Sequence, residues 1–355
     1  MIEDRPSAIL VLPHLVVQNA NAVASPMTHG FPSVTAFMGF MWALERKLNE
    51  CGIPLHFHGV GFVCHHSQEH ASGKYEKTFH LTRNPLKSNE KSASIVPNGR
   101  MHLDVTIVFS ASERLAPGQT RRLAQGNTSE LEGWAREVAA VVQTMRLAGG
   151  SVMPSQTRSD KSNSPWLGVL PDDGGERERR FRTWRRRWLP GFVLVGRDDL
   201  LQQRMNELRD QGGSPTLLDA WLHASRFNYR PLCDEAEGRK LGDGMVKWGD
   251  PYREKGSGWI VPIPVGYAAL TEEQAAGSVK NARDSTVPFR FVESIHSLGE
   301  WIGPHHLERL EDMLWFSEVD EEKGTYRCRS GYVMSGIMAD MVDGPSMYDE
   351  FYECD

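Results

Sequence analysis

Thirteen residues from Glu176 to Trp188 (ERERRFRTWRRRW) hold seven arginines, two glutamates and three aromatics, a local charge of +5. At helical spacing Phe181, Trp184 and Trp188 share one face, and Arg179, Arg182 and Arg186 lie opposite. The aromatics read as core. So dense a cationic face repels itself unless a polyanion covers it, which points to nucleic acid, with an acidic protein partner or plain solvation as the competing accounts. A second candidate is Met145–Ser151 (MRLAGGS), which sets Gly149 and Gly150 beside Arg146. A helix C-cap explains one glycine; a second would let a ligand backbone approach closely, with Arg146 supplying charge. Gln18-Asn19-Ala20-Asn21, Arg83-Asn84-Pro85 and Asn281-Ala282-Arg283-Asp284 repeat one residue chemistry. Arginine grips phosphates bidentately and asparagine reads base edges, so Asn19, Asn21, Arg83, Asn84 and Arg283 suit RNA, although asparagine is also an ordinary turn former.

The chain has thirteen histidines. Strand alternation would put His56, His58, Cys64 and His66 on one face, a metal-like set, yet no second segment offers a ligand pair, so ordinary strand histidines are the expectation. His29 falls between a strand and a helix, where a general base for RNA cleavage could sit. His305 and His306 read as residues of a helix's first turn. No Walker A loop, H-E-x-x-H, G-x-S-x-G or dinucleotide fingerprint occurs. No metal or cofactor is expected.

The elements that must position these groups follow from periodicity. Residues 8–17 (AILVLPHLVV) read as a buried strand with a bulge or edge at Pro13. Pro32 and Ser33 open a helix carrying Phe37, Phe40, Met41, Leu44 and Leu48. Leu55–His66 and Met101–Phe109 alternate as strands around a polar excursion at 67–99. Ser129 and Glu132 form a capping box for a helix that ends at Gly149-Gly150. A Ser/Asn-rich linker, the arginine-rich helix and a strand at Gly191–Gly196 complete the order β-α-β-β-α-β, a modified ferredoxin-like or RRM arrangement of class α+β. Beyond residue 198 the pattern turns mostly helical: Leu200–Leu208, a helix opened by Ser214-Pro215, and a last one from Pro304 burying Leu307, Leu310 and Leu314. Residues 234–258 read as an exposed loop, and Trp259–Val265 (WIVPIPV) as an edge strand or extended packing segment, not a central strand, because of its prolines. The expected units are 1–197, 198–330 and an acidic tail, 331–355.

The 355 residues carry 40 Lys+Arg and 46 Asp+Glu, a net charge of -6. Residues 318–355 alone sum to -7, so the preceding chain is close to neutral and its basic helix is a local feature. Five scattered cysteines without a C-x-x-C pair encode neither a disulfide framework nor a zinc ribbon, and fit a reducing compartment. With acidic residues where a signal peptide is basic and no long apolar run, the expectation is a cytoplasmic chain outside the membrane.

Several irregular motifs resemble the second subunit of the type I-F CRISPR (Csy) surveillance complex. They are Asn19-Ala20-Asn21 with Ser25–Pro32 (SPMTHGFP), Leu81–Leu86 (LTRNPL), Met145–Ser151, Leu189-Pro190-Gly191-Phe192, Gly258–Pro264 (GWIVPIP), and Asn281-Ala282-Arg283-Asp284 with Arg290–Glu293 (RFVE), in order between residues 8 and 316. The resemblance implies a RAMP-type subunit without catalytic activity, the type I-F version of the fifth Cas family. Such a subunit pairs with the large subunit and holds the 5′ handle of the CRISPR RNA. It implies that residues 67–99 form a thumb-like insertion toward a backbone subunit and the guide, and that target DNA is met only through the complex. His306 stands where the family's motif has arginine, and the acidic tail lies outside the pattern. The alternatives are a metal-independent CRISPR RNA endoribonuclease using a histidine such as His29, and a protein-interaction module.

Overall fold

In the computed structural model, residues 6–74, 76–83, 92, 94–114, 123, 128–153, 164–231, 248–253, 258–282 and 284–332 are described. The fold grows from Ala8–Asn21 (β1), whose first five residues are fully buried. The register shifts between Leu12 and Leu15, where His14 has φ 48°, so Pro13 marks a bulge as its missing N–H demands. Helix α1 (Val34–Glu50) buries Phe37, Phe40, Met41, Leu44 and Leu48, as its spacing predicts. Leu55–Glu69 (β2) and Arg100–Glu113 (β3) pair along their length, and β3 pairs β1. Helix α2 (Thr128–Gln143) packs Trp134, Val138 and Val142 beside α1 on the same sheet face.

Arg146–Leu147 (β4) and Gly150–Met153 (β5) form a hairpin, and β5 with Trp166–Val169 (β6) pairs successive stretches of β1. The partner completing β-α-β-β-α-β is thus β5 and β6, not the expected strand at 191–196. The order across the first half is β5-β1-β3-β2. Phe192–Gly196 (β7) lies on the far side of β2, where it starts a second run: β2-β7-β9-β8-β11-β10, formed with Trp259–Ala269 (β8), Val292–Ile302 (β9), Trp315–Asp320 (β10) and Thr325–Ser330 (β11). Trp315 of β10 pairs back onto Val60 of β2, closing this six-stranded run into a ring. Gly61 permits the closure, since a Cβ there would stand 2.7 Å from the Met313 carbonyl oxygen. Buried Trp315 fills the ring and donates its indole N–H to the Leu194 carbonyl (2.9 Å).

The region after residue 198 is therefore not mostly helical. It contributes α4 (Asp198–Asp210) and α5 (Leu217–Ser225), but four strands make its bulk. Leu307, Leu310 and Leu314 are buried as expected, yet by 3-10 turns at Pro304–His306 and Glu311–Met313 rather than a helix. The prolines of β8 behave as their chemistry requires: Pro262 and Pro264 pair only β9, and β11 joins β8 later, at Gly266–Ala268. Most of the 234–258 loop, the Ser/Asn linker and the acidic tail beyond residue 332 lie outside the described residues.

Alternation splits the apolar residues between two faces. Ala8, Leu10, Leu12, Phe57 and Phe109 meet α1 and α2. Ile9, Val11, Val63 and Val108 meet Phe181, Trp184 and Trp188 of the arginine-rich segment together with Leu307, Leu310 and Met313. That second layer covers only one end of its sheet face, and polar side chains take over along the rest of β1, β2 and β3.

Candidate nucleic-acid interface

The polar end begins at the β1 bulge. The His14 backbone N–H donates to Thr106 Oγ1 (3.2 Å), and its ring Nδ1 lies 3.0 Å from Asp104. His65 of β2 stacks on His14 with ring centroids 4.1 Å apart. His65 Nδ1 lies 2.6 Å from the Pro190 carbonyl, which only accepts, so Nδ1 carries the proton and the Thr106 hydroxyl donates to Nε2 (2.8 Å). Burial pulls the His65 pKa below its ordinary value, although the Pro190 contact works against it. Further along β3, His102 Nδ1 accepts the Asn19 backbone N–H (3.3 Å). His70 packs edge-on against His102 at 4.2 Å and stacks toward His80 at 6.2 Å. Desolvation, then the neighbouring His102 and His80, lower the His70 pKa. His102, Asp104 and Thr106 alternate on β3, so a period-two polar stripe was visible in the sequence. Its partners His14 of β1, His65 of β2 and His70 just after β2 lie far from β3 in sequence and gave no local signal.

Two of the sequence candidates meet at the far end of this stripe. A second register shift in β1, between Val17 and Ala20, turns Asn19 into left-handed backbone (φ 56°) with its side chain exposed. The Asn21 backbone N–H donates to the Ala148 carbonyl (2.8 Å), joining this loop to the hairpin. The Asn21 amide closes a local turn, donating to the Val23 carbonyl (2.8 Å) and accepting the Val23 N–H (3.3 Å). Of these two asparagines, Asn19 is thus the one whose side chain faces outward and, among the described residues, makes no hydrogen bond.

The Gly-Gly pair is not a helix stop. Helix α2 ends at Gln143, and Ala148 (φ 49°) and Gly149 (φ 75°) form the two-residue turn of the β4–β5 hairpin, a type I′ geometry. Gly149 is open on all sides, whereas Gly150 has no positive φ. A Cβ on Gly150 would lie 2.7 Å from Gln18 O and Ala20 N, so the residue is small because β1 presses on it. Arg146 is exposed and makes no hydrogen bond or ion pair among the described residues.

The arginine-rich segment folds as α3 (Gly174–Trp184), capped by Asp173 accepting the Glu176 N–H (2.8 Å), followed by a 3-10 turn, Arg185–Trp188. Phe181, Trp184 and Trp188 are buried and Arg179, Arg182 and Arg186 exposed, as the wheel requires. The other arginines are partly occupied: Arg177 donates to the Pro6 carbonyl (2.9 Å), Arg180 to that of Val169 (2.8 Å), and Arg187 stands 5.5 Å over the Trp166 ring. Arg182 pairs with Glu178 (3.2 Å). Desolvation, then crowding by Arg182 and Arg186, pulls the Arg185 pKa down, with Glu308 opposing. The segment exits at Leu189-Pro190, whose carbonyl contacts His65, so its C-terminal end adjoins the histidine stripe.

The remaining candidates lie elsewhere or outside the described residues. Arg83 is exposed on a ribbon of two short ladders (Ala71–Ser72 with Thr78–Phe79, Leu81–Arg83 with Ile95–Pro97) that extends β2 and β3. Asn84 and Arg283 fall outside the described residues. His29 Nδ1 contacts Glu69 (2.8 Å) at the ribbon base and meets Phe79 edge-on. His56 contacts Glu45 (3.1 Å) and His58 contacts Ser112 (2.8 Å), while a register shift between Cys64 and His66 breaks the alternation that would have aligned all four residues. Among the described residues, no three His, Cys, Asp or Glu side chains converge as a metal set, and no helix is long and apolar enough to cross a membrane.

Fold and site define an α+β protein that presents the uncovered half of one sheet face, flanked by a cationic helix and an Asn/Arg hairpin junction. The chain belongs to the CRISPR-associated Csy2 family, whose model, CRISPR-associated protein (Cas_Csy2), matches residues 10–328. It is 40% identical over 325 residues to CRISPR-associated protein Csy2 of Pseudomonas aeruginosa (strain UCBPP-PA14), a match covering 91% of this chain and 95% of the relative.

Proposed function

We propose that the chain is a non-catalytic RNA-binding subunit of a type I-F CRISPR complex. It would hold the 5′ handle of the CRISPR RNA, pair with the large subunit, adjoin the backbone subunits, and meet target DNA through the assembly. The observation that carries this reading is the meeting of the Asn19–Asn21 loop with the Arg146–Gly150 hairpin, through the Asn21–Ala148 hydrogen bond, beside the open sheet face. Unpaired RNA is bound by stacking on flat rings and by charge-assisted contacts to its backbone, and this face offers imidazoles, an outward Asn19 and an uncommitted Arg146. The order β5-β1-β3-β2 with both helices on the other face supports the RRM-type reading, and the ribbon at 71–97 the thumb. A non-catalytic role is favoured over the nuclease alternative because, among the described residues, the contacts of His29 are Glu69 and Phe79, a base partner and an apolar edge without a proton donor for a leaving group. Such a subunit works in the cytoplasm.

Co-expression with the other subunits, followed by sequencing of the RNA that co-purifies, tests the proposal. CRISPR RNA should be recovered, and Asn19→Ala with Arg146→Ala should release it at lower salt than the parent. Recovery of subunits without RNA, or of RNA unaffected by both changes, would remove the handle site from this junction.

A further inference from the structure

A second surface, remote in sequence from the handle junction, combines exposed rings with arginines. After α5 the chain runs Arg226-Phe227-Asn228-Tyr229-Arg230 and pairs Arg230-Pro231 with Trp248-Gly249 in a short ladder. Phe227, Tyr229 and Trp248 are 75%, 66% and 52% exposed, a large apolar cost to leave in water. Tyr229 and Trp248 stack at 6.0 Å with their planes 21° apart, so two exposed faces are already aligned. Guanidinium groups interleave with the rings: Arg253 lies 4.5 Å over Phe227, and Arg230 and Arg204 lie 4.6 and 5.0 Å from the Tyr252 ring.

The platform is held in place. Asn228 and Arg253 donate to the His223 and Ala224 carbonyls (3.0 and 2.8 Å), capping the C-terminal end of α5. Asp250 accepts the backbone N–H groups of Asn228 and Tyr252, both at 2.9 Å. Asn228 also accepts from Arg226 Nε (2.9 Å), so the amide that could have read a base edge is consumed internally. Ring faces and positive charge are left facing outward. That chemistry stacks any base and neutralises any phosphate, and suits a strand of variable sequence better than a fixed RNA handle.

We propose that this face is a stacking site for single-stranded DNA, the strand displaced when the guide pairs with its target. The proposal rests on reading the chain as a subunit of an RNA-guided complex. Its occupant stacks bases on Tyr229 and Trp248 and sets phosphates against Arg226 and Arg230.

The test uses the assembled, guide-bearing complex containing the full chain, as parent, as Tyr229→Ala/Trp248→Ala, and as Tyr229→Phe/Trp248→Phe. Assembly and guide content should be equal in all three. Affinity for a duplex target should fall about tenfold or more in the alanine pair. Affinity for the complementary single strand alone, which displaces nothing, should not change, and the phenylalanine pair should bind duplex like the parent. Equal affinity of parent and alanine pair for duplex would overturn the proposal, as would equal losses on duplex and single strand. Loss of assembly in the alanine pair would make the face a protein interface and overturn it too. Failure of the parent to assemble with guide RNA would instead sink the proposed function. In that case titration of the full chain with labelled oligo(dT) decides the site: binding about tenfold weaker in the alanine pair supports it, and identical curves refute it.

Discussion

Gly150 and Gly149 are adjacent, and the structure assigns them opposite reasons for being glycine. Replacing Gly150 by alanine places a Cβ 2.7 Å from Gln18 O and Ala20 N and 2.8 Å from Ala20 Cα, all backbone atoms of β1. Strand β1 is paired with β3 on its other side and cannot retreat, so β5 must move out by about 0.7 Å to restore ordinary contact distances near 3.4 Å. That motion strains the Val16–Met153 to Gln18–Ser151 ladder. Overpacking of this kind costs about 1–3 kcal/mol, and at about 2–4 °C per kcal/mol for a domain of this order of size the melting temperature should fall by about 4–8 °C for a mid-range cost. Gly149→Asn meets nothing within 4 Å and asks only for left-handed backbone, which asparagine tolerates, so its change should stay below about 1 kcal/mol. Ala148, at φ 49°, carries the about 1–2 kcal/mol penalty of a non-glycine residue in that region, and Ala148→Asn should raise the melting temperature by a few degrees. Thermal unfolding by circular dichroism of the three variants checks the ranking. If Gly150→Ala melts with the parent, or drops less than Gly149→Asn, the close approach of β5 to β1 is wrong.

Arg179→Ala, Arg182→Ala and Arg186→Ala combined should leave the fold intact, since all three are exposed opposite the buried aromatics. At about -0.7 per neutralised phosphate of single-stranded RNA, three lost contacts should flatten the log-log salt dependence of RNA-dependent assembly by about two units; an unchanged slope would move this helix to a protein interface. The parent and His29→Ala should be equally unable to cleave a full CRISPR repeat RNA, with or without divalent metal, in a gel assay of end-labelled RNA; cleavage that disappears in the variant would promote the nuclease reading. Burial pushes the Cys328 thiol up to about 12 and that of Cys64 up to about 11, so at pH 8 both are almost wholly protonated and should react slowly with iodoacetamide beside exposed Cys51. Their rates should rise with pH toward those values, read by peptide mapping of the native protein. Fast alkylation of Cys328 at pH 8 would contradict its burial.

The sequence was most legible where one face of an element meets one core. Helix α1 and the aromatic face of α3 obeyed the helical period because each lies on a single sheet face. Leu307, Leu310 and Leu314 misled for a related reason: spacings of three and four also serve 3-10 turns lodged against a sheet, so burial was foreseen and the helix was not. The Gly-Gly turn was misread because a helix stop and a type I′ hairpin both use glycine at positive φ, and only the pairing of Arg146 with Ser151 separates them. Strand β9 escaped because its partners β7 and β8 are far away in sequence; β10 and β11 form a local hairpin, but its place in the fold rests on pairing with β8 and on ring closure through Trp315–Val60, which have no local signature. At the candidate site, Asn19 and Arg146 were legible by residue type. The imidazole stripe was not, because His14, His102 and the pair His65 and His70 belong to three segments that only the β1 bulge and the β1–β3–β2 register bring together.

On the function proposed above, the open sheet face and the hairpin junction hold the 5′ end of a guide RNA. Photocrosslinking answers it most directly: guide RNA carrying 4-thiouridine in its 5′ handle is assembled with the full chain and its partner subunits, irradiated, and the attached peptides are mapped by mass spectrometry. Crosslinks should appear in peptides containing Asn19, His102 and Arg146–Gly149, and be lost when the thiouridine is moved to the 3′ end of the guide. Handle crosslinks confined to other subunits, or to segments of this chain away from β1, β3 and the β4–β5 hairpin, would contradict it.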